Sequence, residues 1–121
     1  MIGIDLIKTS RMQKMMERFG DKALQRFLNA DEIKLVKNYK TASGFWASKE
    51  ACSKALGVGI SNECGFHDIV ISKTKRGAPQ ITLSKKVQEL FSISSTSLSI
   101  THDGEYAIAV VALESSTTYK I

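Results

Sequence analysis

Phe45-Trp46-Ala47-Ser48-Lys49-Glu50-Ala51-Cys52-Ser53-Lys54-Ala55-Leu56-Gly57 is the stretch around which the rest of the chain is organised. It holds no proline and no β-branched residue, so nothing in it resists a helix. Ser43 is expected to cap its start, because a serine hydroxyl accepts a bond from an orphan N–H of a first turn. Gly57 is expected to end it in the left-handed conformation. Ala47, Ala51, Ala55 and Leu56 recur at helical spacing and give one face that can be buried. Glu50 and Lys54 stand four apart, only about 40° from each other around the axis. An acid and a base therefore share a face, with Ser53 close by. Such a pair is ordinarily a solvated surface pair worth about 0.3–0.5 kcal/mol, and only the surrounding sequence gives it further meaning.

The chain has 121 residues, which fits one domain over 1–121. Its hydrophobic share of 43% is enough for a core, and 24% charged residues is ordinary for a soluble protein. No apolar run reaches the roughly 18 residues needed to span a bilayer. The N-terminus enters Ile2-Gly3-Ile4-Asp5-Leu6-Ile7 without a basic segment or cleavage site, which points to the cytoplasm. Cys52 and Cys64 fit neither a disulfide framework nor a zinc site, and read as buried or idle thiols. A net charge of +5 favours an anionic partner: nucleic acid, an acidic protein or a phosphorylated small molecule.

Upstream of the central stretch, Ile2–Ile7 reads as a strand with apolar residues on both faces. Asp5 is the exception, and a carboxylate buried there unpaired would cost several kcal/mol. It is either a water-facing edge residue or a metal ligand or partner to a base. Thr9 or Ser10 is expected to cap a helix to about Phe19, with Met12, Met15, Met16 and Phe19 as its apolar stripe. Arg11, Lys14 and Arg18 share its other side. After Gly20-Asp21 a short helix places Ala23, Leu24, Phe27 and Leu28 inward and Lys22 and Arg26 outward. Asn29 with Glu32 predicts a capping box for a third helix through Ile33, Val36 and Tyr39. Residues 1–40 carry nine Lys/Arg against five Asp/Glu, so +4 of the net +5 lies in the first third. A basic face is usually only solvated, but this concentration fits the docking of something acidic.

Downstream, Gly57–Ile60 is a turn and Phe66–Ile71 a strand. A basic loop, Lys73–Pro79, leads to a strand over Gln80–Leu83, so a hairpin is expected. Ser84 caps a short helix ending near Leu90 or Phe91. Leu98–Thr101 alternates apolar with polar, His102-Asp103-Gly104-Glu105 forms a hairpin turn, and Tyr106–Leu113 is the most apolar strand, expected to be central. The tail from Ser115 to Ile121 is expected to be loosely held. This order of elements gives an α+β fold, a largely antiparallel sheet packed with a long central helix and shorter helices. A Gly-rich phosphate loop of Walker or Rossmann type is absent.

Three blocks, in order over nearly the whole chain, carry a resemblance. The first is Gly3-Ile4-Asp5-Leu6-Ile7 followed by Arg11. The second runs from Trp46 to Ile60 and leads into Phe66 and Asp68-Ile69. The third is Ser99-Ile100-Thr101-His102 followed by Tyr106-Ala107-Ile108-Ala109. Together they resemble the small holo-acyl-carrier-protein synthase family, the short 4′-phosphopantetheinyl transferases. The second block is the specific one, since its aromatic-Ala-x-Lys-Glu-Ala-x-x-Lys-Ala-x-Gly string is hard to obtain by chance.

The resemblance implies transfer of the phosphopantetheine arm of coenzyme A to a serine of acyl carrier protein, in support of fatty acid biosynthesis. Adenosine 3′,5′-bisphosphate is released. Attack of a hydroxyl on a pyrophosphate phosphorus needs charge neutralisation, in-line positioning and a base. Asp5 and Glu50 match the family's Mg²⁺-binding acids, and Mg²⁺ is commonly held by one or two carboxylates plus substrate phosphates. Lys54 matches the lysine expected on the transferred phosphate, and Glu50 is expected to accept the serine proton, directly or through a metal-bound water. Lys49, Ser53, Lys54, Arg76, Gly77, Pro79 and His102 are the coenzyme contacts implied, His102 at the nucleotide end. Arg11, Lys14, Met15, Arg18, Lys22 and Arg26 are then the docking surface for an acidic carrier protein, with Phe19 as a further apolar anchor and an attraction that salt weakens.

The family is typically homotrimeric, with the coenzyme site between subunits. One departure stands out: the family usually has Arg where this chain has Phe45, so Lys40, Arg76 or another base must hold the 3′-phosphate, or selectivity for it is weaker. Neither nucleic acid nor membrane is expected as a partner. The rival readings are a basic nucleic-acid-binding module, which lacks the usual signatures, and a different Mg²⁺-dependent phosphoryl-transfer enzyme reusing Asp5 and Glu50.

Overall fold

The computed structural model describes residues 1–116. Strand β1 (Ile2–Lys8) is followed by helices α1 (Thr9–Phe19), α2 (Asp21–Gln25), α3 (Ala30–Lys34) and α4 (Tyr39–Ala55). A 3₁₀ turn (Phe66–Asp68) leads into the hairpin β2 (Ile69–Lys73) and β3 (Pro79–Leu83), then α5 (Lys85–Phe91), β4 (Ile93–Asp103) and β5 (Tyr106–Ser115). The sheets are antiparallel: one of order β1-β5-β4 and one of β2 with β3. The Thr96 hydroxyl donates to the Ile81 carbonyl and ties the two together. An α+β fold is therefore present, with β5 central as expected, although the antiparallel strands are divided between two sheets.

The long helix lies across the three-stranded sheet. Its buried residues include Ala42, Phe45, Ala47, Ala51, Cys52 and Ala55, so it is enclosed on more than one side. Toward the sheet it meets the small residues Ala107, Ala109 and Val111 of β5, all buried. On its far side Phe27, Trp46 and Phe66 pack edge-on and tilted, with centroids 4.9–6.1 Å apart. The helix starts earlier than its sequence implied. Asn38 is the cap, its side chain accepting from Lys40 and Thr41 N–H. Ser43 lies inside the helix, buried, and donates to the Tyr39 carbonyl. Asn38 competes better because an Asx side chain reaches its own following N–H groups, whereas a mid-helix serine turns back to the i−4 carbonyl. Gly57 follows the helix with φ of 80°, as expected.

The Asn29–Glu32 capping box forms, but α3 ends at Lys34 and Tyr39 opens α4 instead. Helix α1 starts after Lys8 with no side-chain cap; the Thr9 hydroxyl donates to the Glu105 carbonyl across the fold. Phe66–Asp68 is not extended. Asp68 accepts from Gly65 N–H and the Ser84 hydroxyl and pairs with Lys86, which holds it in a turn. Burial raises its carboxyl, yet these bonds outweigh burial and bring it below the ordinary value. The helix from Ser84 is capped as read, and β4 begins five residues before Leu98. Ser115 closes β5 and Ser116 bonds to Ser92, so the start of the tail is tied down; residues 117–121 lie outside the described residues. Central position does not bury β5 on both sides. Ile2, Ile4 and Leu6 of β1 and Tyr106 and Val110 of β5 form an exposed apolar face, Ile2 being 74% exposed.

Candidate active site

Asp5 lies on the core face of β1, the face that packs on α4. Its carboxylate accepts from the Lys54 ammonium at 2.8 Å, and that ammonium also lies 3.4 Å from the Ile4 carbonyl. Lys54 thus reaches across to the strand. Glu50, one helical turn before it, is half-buried and close enough to Asp5 to feel its charge. Burial first, and then Asp5, push the Glu50 carboxyl above its ordinary range, with Lys54 offsetting part of this. The strand-borne and helix-borne acids that the sequence left unexplained are brought together.

These residues fit a magnesium ion. Two carboxylates converge from rigid elements, their mutual repulsion is only partly offset by a half-exposed lysine, and Mg²⁺ takes few protein ligands with water and phosphate completing the shell. Among the described residues no group of three or more His, Cys, Asp or Glu gathers elsewhere as an alternative.

Lys49 and Ser53 are not in this site. Lys49 is fully buried and its ammonium is saturated: it donates to the carbonyls of Phe27 and Phe66 and pairs with Glu32 at 2.9 Å. Burial lowers its proton affinity, and Glu32 restores part of it. Glu32 also accepts from Asn29 and Ile71 N–H, so the pair staples α4 to the α3 cap and to β2. The Ser53 hydroxyl is buried on the Glu50 carbonyl. Both expected coenzyme contacts are therefore corrected to structural roles, because they point into the layer behind α4. Glu32 was visible in the sequence only as a cap; nothing in its spacing announced Lys49 as its partner. Cys52 and Cys64 are buried free thiols; burial and then Cys64 push Cys52 up to about 12, and burial and then Asp68 push Cys64 up to about 11, with Lys86 offsetting part of the latter.

On the opposite flank of α4 is a cleft of about 250 Å³ lined by Lys37, Thr41, Gly44, Phe45, Lys73, Pro79, Ile100 and His102. His102 Nε2 donates to the Lys40 carbonyl at 3.0 Å, which fixes the ring at the rim. The floor is apolar and the rim holds two ammonium groups and an imidazole, a combination suited to a base with an attached phosphate. Pro79 and His102, two of the coenzyme contacts implied by the resemblance, both line this cleft. Arg76 and Gly77 are exposed at the hairpin tip, and Gly77 takes φ of 87° there. Lys37 was missed, and Lys73 was seen only as part of a basic loop; the only signal was their charge. Phe45 is 2% exposed and lines this cleft together with the two lysines.

The two clusters cannot face one another within one chain. At 100° per residue, Glu50 and Lys54 are roughly 140–180° around α4 from Thr41 and Phe45. Asp5 is on one edge strand and Ile100 and His102 are on the other, with β5 between them.

Helices α1 and α2 leave Arg11, Lys14, Arg18, Lys22 and Arg26 exposed, with Met15 half-buried among them. Phe19 is 48% exposed and carries the Arg18 guanidinium over its ring at 5.1 Å.

Comparison with known proteins places this geometry. The model of the 4′-phosphopantetheinyl transferase superfamily matches residues 1–111. The chain is 69% identical to the holo-[acyl-carrier-protein] synthase of Sulfurimonas denitrificans over 121 residues, all of both chains. It is 55% identical to that of Aliarcobacter butzleri over 111 residues, 92% of this chain and 94% of the other. Among solved structures, the Helicobacter pylori synthase in complex with coenzyme A superposes with a TM-score of 0.91 at 50% identity, covering 94% of this chain and 100% of that one. The Bacillus anthracis synthase, in complex with CoA (3′,5′-ADP), gives 0.80 at 36% identity, with 95% and 96% covered.

Proposed function

The chain belongs to the 4′-phosphopantetheinyl transferase superfamily, and from that premise we propose that it is a holo-[acyl-carrier-protein] synthase. It transfers the phosphopantetheine arm of coenzyme A to a serine of apo-acyl carrier protein, and so serves fatty acid biosynthesis in the cytoplasm. The observation that carries this reading is the Asp5–Glu50–Lys54 constellation at the β1–α4 seam. Among the described residues no helix is long and apolar enough to cross a membrane.

Asp5 and Glu50 are the residues that would hold Mg²⁺, which when bound supplies charge neutralisation to the pyrophosphate. Lys54 exchanges Asp5 for a phosphate oxygen, as a flexible ammonium can. Glu50 receives the serine proton; burial and the charge of Asp5 raise its proton affinity, the direction a base needs. The nucleotide end lies in the Lys37–Lys73–His102 cleft. Arg11, Lys14, Arg18, Lys22 and Arg26 steer in the acidic carrier protein, and Met15 and Phe19 give it an apolar footing.

Because the acids and the cleft lie on opposite flanks of α4, one coenzyme must be shared between two copies. A homotrimer meets this need, and the apolar face of Ile2, Ile4, Leu6, Tyr106 and Val110 supplies a surface for it. The test is intact-mass spectrometry of apo-acyl carrier protein incubated with this protein, coenzyme A and Mg²⁺. A gain of one phosphopantetheine, lost with EDTA, is expected. No gain with several carrier proteins, with Mg²⁺ or Mn²⁺, would refute the activity. Mixing Asp5→Ala with His102→Ala should restore part of the turnover each lacks; failure to do so would refute the shared site.

A further inference from the structure

Gly3 interrupts an otherwise apolar strand, and a glycine there weakens a strand. Its backbone is not in the left-handed region that only glycine tolerates well; Gly20, Gly57, Gly59, Gly77 and Gly104 are the glycines that are. Conformational freedom therefore does not explain it, and size does. A Cβ at Gly3 would overlap the Ala51 carbonyl oxygen and sit 2.6 Å from the Ala55 nitrogen. These are backbone atoms of α4 and cannot rotate aside. Any side chain at this position must lift β1 from the helix.

Two residues further along the same face of β1 is Asp5. Its short side chain reaches Lys54 at 2.8 Å only while the strand lies this low. The strand also holds Asp5 near enough to Glu50 for its charge to be felt, with Lys54 offsetting part of the repulsion. We propose that Gly3 is a positioning residue: its missing side chain sets the β1–α4 separation at which Asp5 and Glu50 hold one divalent cation. This rests on reading the two acids as a cation site, and deepens that reading by naming what fixes their spacing.

The test measures Mn²⁺ binding by calorimetry or electron paramagnetic resonance to the protein saturated with coenzyme A, with no carrier protein present and so no turnover. Asp5→Glu adds one methylene to a carboxylate that is 14% exposed at the β1–α4 seam. It is expected to weaken Mn²⁺ about tenfold or more, the scale of a displaced ligand environment. Gly3→Ala is expected to do the same by lifting the strand. The double variant Gly3→Ala/Asp5→Glu should bind better than either single variant, because the longer acid spans the widened gap. Adenosine 3′,5′-bisphosphate affinity, a report on the far flank of α4, should not change in Gly3→Ala.

Mn²⁺ binding indifferent to Asp5→Glu or to folded Gly3→Ala overturns the inference. So does a double variant weaker than both singles, or an equal loss of nucleotide binding, which would make Gly3 merely structural. If Gly3→Ala is unfolded in buffer, the same measurements are made on it at low temperature in sucrose, which favours the folded state. No Mn²⁺ binding by the wild type would overturn the cation-site reading itself, and is thereby distinguished from failure of the Gly3 inference.

Discussion

The two flanks of α4 are built by the same device and do opposite work. On one, Gly3 of the strand lets the helix backbone approach, and the residues gathered there are Asp5, Glu50 and Lys54. On the other, Gly44 of the helix lets the sheet approach: a Cβ there would lie 3.0 Å from Ile100 Cγ2 and 3.4 Å from His102 Nε2. The residues gathered on that side are Lys37, Lys73 and His102 over an apolar floor. The first flank concentrates negative charge and fits a cation. The second concentrates positive charge and fits a phosphate. A helix buried on nearly every side thus carries two half-sites that do not meet in one chain, and what the difference teaches is a division of labour between chemistry and coenzyme binding.

The sharpest way to break this division is on the acid flank. Glu50→Ala or Asp5→Ala should lower kcat by about 10³-fold or more, as for loss of a principal electrostatic group, while circular dichroism and thermal unfolding stay close to wild type. A large loss of folding instead would mean the acids are structural.

Behind both flanks stands the Lys49–Glu32 pair. Lys49→Met leaves Glu32 buried without its cation, and should destabilise by about 3–5 kcal/mol in urea unfolding. A loss well under 1 kcal/mol would show that the staple is not needed.

The basic flank should respond through binding. Lys37→Ala and Lys73→Ala should each raise the KM for coenzyme A about three- to tenfold, the range for losing one ordinary hydrogen bond of about 0.6–1.4 kcal/mol, with kcat unchanged. A drop in kcat of the same size would put these lysines at the reacting phosphate and erase the distinction between flanks. Outside both, Arg18→Glu should raise the KM for carrier protein several-fold (roughly one exposed charge reversed) and spare coenzyme A binding. Equal loss of both would undo the docking surface.

The smallest effect is the pH dependence of stability at Glu50. The Glu50 carboxyl is raised above its ordinary value of 4.5 in the fold, so its ionised form opposes folding. That penalty is absent below the ordinary value, where folded and unfolded states are both protonated, and grows as pH rises through the folded value. Glu50→Gln should therefore raise Tm slightly at pH 7–8 and not at all below about pH 4. Scanning calorimetry across that range checks the sign, and a lower Tm at pH 8 would contradict it.

Much of the fold was legible because it rests on local rules. The absence of helix breakers from Phe45 to Leu56 predicted the long helix, Ser84 capped α5, and alternation gave β4. Local rules erred where two of them competed. Ser43 looked like a cap until Asn38 proved the better one. Phe66–Asp68 looked extended until the bonds to Asp68 curled it.

Sequence alone determined the helix that carries the site and the blocks that mark the family, and it left Asp5 and Glu50 each with a structural reading beside the chemical one. Tertiary structure decided which charges face which way. Lys49 and Lys54 are both lysines of one helix, five residues apart, yet one is sealed on Glu32 and the other reaches Asp5. Spacing along a helix gives the angle between two side chains but not the layer each will meet. That depends on partners tens of residues away, whose approach is limited by backbone contacts such as the one Gly3 permits.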